Sequence, residues 1–73
     1  MTNEFFIATN VSPGKLVRLE RVHRGLRQVD LAEIAGVTQA EISAFERGSY
    51  VTPVVRHRIL KSLGFDLGEG SCA

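Results

Sequence analysis

The side chains with most to offer a ligand are arginines. Arg18, Arg21, Arg24 and Arg27 recur every third residue, and Arg47, Arg56, Arg58 and Lys61 form a second group. A guanidinium keeps its charge and presents a planar fork of donors, which suits phosphate and carboxylate. The acids lie dispersed between the two groups. A chain of net charge +1 can therefore carry a local basic face, although that total alone does not point to nucleic acid. Other reactive groups are few. Asp30 and Glu33 are near neighbours, but nothing in their surroundings would desolvate them or wall a cleft, so they read as solvated. His23 and His57 have no metal-ligand companions at useful spacing and read as surface residues. The single cysteine, Cys72, permits neither an intramolecular disulfide nor a Cys-based metal site, and reads as a tail residue in a reducing cytoplasm. No catalytic residue, metal ligand or cofactor motif emerges, and an enzyme is not expected.

The chain has 73 residues, enough for one domain. A domain of this size buries roughly 60% of its unfolded surface and is marginal unless local signals support it. Hydrophobic residues make up 44% and charged residues 23%, a globular balance. The opening MTNEFFIATN lacks the basic region of a signal peptide, and no apolar run approaches the ~20 residues of a membrane span. A soluble, cytoplasmic protein is expected.

Local signals divide the arginine-bearing segments into four helices. Ser12 and Pro13 form a cap-plus-proline start. Leu16, Leu19 and Val22 follow at helical spacing as the expected apolar face, and Gly25 is a left-handed stop. Residues 28–35 form a second short helix, with Leu31, Ala32 and Ala35 inward and Gly36 as its stop. The third helix starts at Thr38, an N-cap whose capping box is completed by Glu41, with Val37 and Ile42 placed to staple across the start. It ends near Glu46, with Arg47 at the negative end of its dipole and Gly48 beyond. Thr52 and Pro53 start a fourth helix with Val55, Ile59, Leu60 and Leu63 on one face. Gly64 ends it, and Phe65 can fold back in a Schellman-type contact. Residues 1–11 read as an arm or strand, since FFIATNV is rich in aromatic and β-branched side chains. Residues 12–65 read as the domain and 66–73 as a loose tail.

The second and third helices are short and joined by a turn containing Gly36, the helix-turn-helix pattern. The third has little to bury, Ile42 and Phe45 only. The rest of its surface is left free to enter the DNA major groove, where small residues let the backbone approach.

The run from Arg21 to Gly48 resembles the Xre family of lambda-repressor-like, Cro-type regulators. Gly25-Leu26, Gln28, Leu31-Ala32, Gly36-Val37, Ile42 and Glu46-Arg47-Gly48 carry the match, and Pro53 and Leu63-Gly64 extend it to about residues 14–65. The resemblance implies a compact all-α domain of four helices, five in members that keep a dimerisation helix. Thr38, Gln39, Ala40, Ser43 and Ala44 would face bases, with Gln39 able to bond adenine bidentately and the alanines able to meet thymine methyls. Gln28 would contact a phosphate and brace Gln39 from behind. Arg27, Arg47, Ser49, Tyr50 and Arg56 would contact the DNA backbone. Arg21 and Glu46 would form a largely buried ion pair joining the third helix to the first. Arg18 and Arg24 are expected to be solvated.

Two departures stand out. Arg27 occupies the cap of the second helix, where the family uses Ser, Thr or Asn. The Gly-rich tail argues against a fifth helix, which leaves the dimer contact unassigned. Residues 5–11 could pair as strands across a two-fold axis or fold back over Leu16 or Phe65, and both readings stand. Ile34 reads as a lone exposed residue. The resemblance implies a homodimeric regulator of double-stranded DNA, phage- or mobile-element-like. It would repress by blocking RNA polymerase or activate by touching it or a second regulatory protein, with no membrane partner. The rival is an antitoxin-like interaction module that grips a partner with its N-terminal segment.

Overall fold

A computed structural model describes residues 12–65, which form four helices: α1 (Pro13–His23), α2 (Gln28–Ala35), α3 (Gln39–Arg47) and α4 (Pro53–Ser62). No strand occurs among the described residues. The readings made for residues 1–11 and 66–73, including the dimer strand and the fifth helix, fall outside them.

Side-chain chemistry sets the helix starts. The hydroxyls of Ser12, Thr38 and Thr52 accept from the N–H groups of Lys15, Glu41 and Val55, each satisfying a donor that the first turn leaves unpaired. At Thr38 the box is reciprocal: its own N–H donates to Glu41 Oε1 at 2.9 Å. The ends of α1 and α4 are Schellman turns. Gly25 takes φ +74° while the Leu26 N–H reaches Arg21 O at 3.0 Å. In the same way the Phe65 N–H reaches Leu60 O at 3.1 Å, which turns Phe65 back against the core.

The core joins all four helices: Val17, Leu31, Ala32, Ile42, Phe45, Val55, Ile59, Leu60 and Leu63, with Val37, Val51 and Phe65 packed against it. Full burial of a side chain such as Ile42 or Ile59 contributes roughly 1.5–3 kcal/mol, so each is a large share of what a domain this size can hold.

The expected face of α1 needs correction. Leu19 and Val22 are both 58% exposed, and the inward residues are Gly14, Val17 and Arg21. Gly14 is where α1 crosses α3 most closely. A Cβ there would lie 2.1 Å from Phe45 O, so only glycine permits the approach. Arg21 can sit inside because a carboxylate meets it there.

Candidate nucleic-acid interface

That carboxylate belongs to Glu46, in the last turn of α3. Arg21 forks onto it, Nε to Oε2 at 2.7 Å and Nη2 to Oε1 at 3.1 Å, and its Nη1 donates to Leu26 O at 2.8 Å. The side chains are 11% and 4% exposed. Gln28, the first residue of α2, completes the network: its Nε2 donates to Glu46 Oε1 at 3.1 Å. Three helices are thus tied at one carboxylate. The pitch of α3 is fixed from behind by hydrogen bonds with directional requirements, which apolar packing alone would not supply. No buried polar side-chain atom among the described residues lacks a partner.

The Gln28 amide faces Glu46, so the brace seen here acts at the end of α3, and among the described residues no side-chain hydrogen bond joins Gln28 to Gln39. The signal was present in the sequence, since Gln28 and Glu46 both belong to the matched motif, but spacing alone does not reveal contact between them.

The outward side of α3 is different. Thr38, Gln39 and Ala40 are exposed, and Ser43 and Ala44 half-buried. Thr38 uses its oxygen as the cap of α3. Ser43 accepts a hydrogen bond from Arg47 Nη1, one turn further on. Gln39, Ala40 and Ala44 make no side-chain hydrogen bond among the described residues. Ser49, Tyr50 and Arg56 line a cleft of about 430 Å³ beside the start of α1, with Tyr50 exposed at its rim.

Arg27 is engaged by a neighbouring carboxylate. Its guanidinium lacks an acceptor and cannot cap α2 as a hydroxyl would. The Arg27 N–H donates to Asp30 Oδ2 at 2.8 Å, and its guanidinium forks onto both oxygens of the same carboxylate at 3.0 Å. Asp30 therefore caps the helix from inside, and its pair with the exposed Arg27 lies at the surface. The hydrogen bonds from Arg27 hold the Asp30 carboxyl below the usual carboxylate range, and the same contact raises the guanidinium.

The Helix-turn-helix family profile matches residues 17–69, which span α2, the turn at Gly36 and α3. The chain belongs to this family, in its lambda-repressor-like branch. A relative from Methanothermobacter thermautotrophicus (strain Delta H), described as an uncharacterized HTH-type transcriptional regulator, is 44% identical over 50 residues, covering 67% of this chain and 72% of that protein. No solved structure matches the chain.

The charge of the helix-turn-helix domain follows from where its charges fall. All nine Lys and Arg but only five of the eight acids lie in residues 12–65, so that span carries +4 against +1 for the whole chain. Arg21, Arg24 and Arg27 are paired with Glu46, Glu20 and Asp30. Lys15, Arg18, Arg47, Arg56, Arg58 and Lys61 have no carboxylate partner among the described residues.

Two structural arginines escaped the sequence reading. Arg24 is exposed, as its reading as solvated implies, and it also bridges Glu20 at 2.8 Å and the Leu63 carbonyl at 2.8 Å, joining the ends of α1 and α4. Arg58 donates to Gly36 O at 3.2 Å, at the C-terminus of α2. Both meet carbonyls that a helix end leaves unpaired, where a cation also suits the dipole. Among the described residues, no helix is long and apolar enough to cross a membrane.

Proposed function

We propose that this helix-turn-helix protein is a sequence-specific DNA-binding transcription regulator, acting in the cytoplasm as a homodimer on a two-fold-symmetric operator. The observation that carries the reading is the division of α3. Ile42, Phe45 and Glu46 hold it to the domain, while the outward side keeps small or uncommitted residues that fit a groove. Gln39 would read adenine from the start of the helix, and Ala40 and Ala44 would meet thymine methyls. Thr38 and Ser43 would add short polar contacts. Ser49, Tyr50 and Arg56 would hold the DNA backbone, setting register and affinity but not sequence. Repression by occlusion of polymerase is the simplest mode for a domain of this size.

Selection from random duplex DNA with the purified protein, at near-physiological salt, tests this. The expected product is an inverted repeat with half-site centres about one helical turn apart. Enrichment of a lone half-site would remove the dimer, and failure to enrich any sequence would remove the function.

The second reading, an interaction module of antitoxin type, draws support from Leu19 and Val22, which leave an apolar stripe on the outer side of α1. Salt separates the two. Binding through phosphates weakens steeply as salt rises, whereas an apolar protein contact barely responds.

A further inference from the structure

Arg47 stands in the middle of the outward arc of α3. At about 100° per residue, Gln39, Ser43, Arg47, Ala40 and Ala44 follow in that order across about 140° of the helix. Ile42 and Phe45 lie on the other side, and Glu46 lies at the boundary, about 20° beyond Gln39. Arg47 is therefore in line with the residues assigned to bases and not at the margin, where a backbone contact belongs. It lies in the last turn, which a recognition helix ordinarily carries away from the base edges. Its side chain compensates. Helical side chains lean toward the N-terminus, and the Arg47 guanidinium reaches back to donate to Ser43 Oγ. One turn is about 5.4 Å, so the donor fork sits level with the middle of the helix. Ala40 and Ala44 are too short to hold DNA at a distance or to compete for the same edge. Arg47 also has no carboxylate partner among the described residues, unlike Arg21, Arg24 and Arg27.

We propose that Arg47 reads a base, and that Ser43 is its positioning residue. The assignment rests on α3 entering the major groove. Guanine is the base it fits, because N7 and O6 together accept from a guanidinium fork. One N–H of Arg47 is held by Ser43, and four remain for the guanine edge. Operator specificity would then come from Gln39 toward adenine and Arg47 toward guanine, with methyl contacts from Ala40 and Ala44 beside them.

The test compares selections from random duplex DNA by the full-length wild type, Arg47→Ala, Ser43→Ala and Arg56→Ala. The expected wild-type motif has one guanine column in each half-site that Arg47→Ala flattens while the other columns persist. Affinity for the wild-type site should fall about 5- to 150-fold. Ser43→Ala should weaken that same column, in addition to any base that Ser43 itself touches. Arg56→Ala, the backbone comparator, should lower affinity for all sequences alike and leave the motif unchanged. If Arg47→Ala behaves as Arg56→Ala does, with the motif intact and the salt slope reduced by about one, Arg47 is a phosphate contact and the proposal falls. An unchanged guanine column in Ser43→Ala removes the positioning role. A wild type that enriches no motif overturns the groove reading itself, an outcome distinct from both.

Discussion

The two sides of α3 do opposite work within nine residues. The inward side is fully committed: Ile42 and Phe45 are in the core, and Glu46 accepts from Arg21 and Gln28. The outward side carries two alanines, a serine, a glutamine and an arginine whose only side-chain hydrogen bond among the described residues is to that serine. The contrast teaches that one short helix can commit one side to the fold and leave the other available to a ligand. Substitutions on the inward side should change the melting temperature, and those on the outward side should change what is bound.

The harshest way to break this division is Arg21→Ala. It leaves the Glu46 carboxylate buried without its main partner, at a cost of about 3–5 kcal/mol. For a domain of this size that lowers Tm by at least about 12 °C, measurable by circular dichroism. A melt within a few degrees of wild type would show that the pair does not hold the domain. The double substitution of Arg21→Met with Glu46→Leu sharpens the comparison, since an apolar pair of similar volume restores stability. Its DNA affinity should stay low, because the directional tie on α3 is gone.

Gly14→Ala comes next. Alanine is favoured over glycine in a helix by about 1 kcal/mol. Here the added Cβ meets the Phe45 carbonyl, so a net loss of about 2 kcal/mol is expected from forcing α1 off α3. A gain in stability would mean that the two helices do not cross as described.

On the outward side, Gln39→Ala should leave Tm in place and reduce discrimination at one base position by about 1–3 kcal/mol. Binding titrations against single-base variants of the operator would read this, and an equal loss on every variant would refute the base contact.

The smallest effect is at Asp30. Its carboxyl is held below its unfolded value, chiefly by the Arg27 side chain, so the contact stabilises the fold above the unfolded pKa. That contribution is lost as pH falls through the folded pKa. Carboxyl NMR should show Asp30 titrating lower than in Arg27→Ala, and equal midpoints would contradict the ion pair.

The helix boundaries were legible because they depend on neighbours in sequence. Ser12-Pro13, Thr38 with Glu41, Thr52-Pro53 and the glycines that end each helix are chemistry over three or four residues. The face of α1 was not legible. Leu16, Leu19 and Val22 share a plausible periodicity, but Arg21 and Gly14 define the buried side. A glycine carries no apolar signal, and burial of Arg21 depends on a carboxylate 25 positions away. Only the family resemblance supplied that partner. The Arg24 bond to Leu63 was hidden for the same reason, its carbonyl acceptor lying 39 positions on. In the interface, the residue types facing outward on α3 could be read directly. The engagement of Arg27 by Asp30 and of Gln28 by Glu46 could not, because both are choices among competing hydrogen-bond partners.

The most direct measurement is an amide NMR titration of the full chain with a short DNA duplex at low salt. If the outward side of α3 is the recognition surface, shifts concentrate at residues 38–44 and 47–50, with Gln28 and Arg56, while the α1 stripe of Leu19 and Val22 stays still. Shifts gathered on that stripe, with α3 unmoved, would contradict the account.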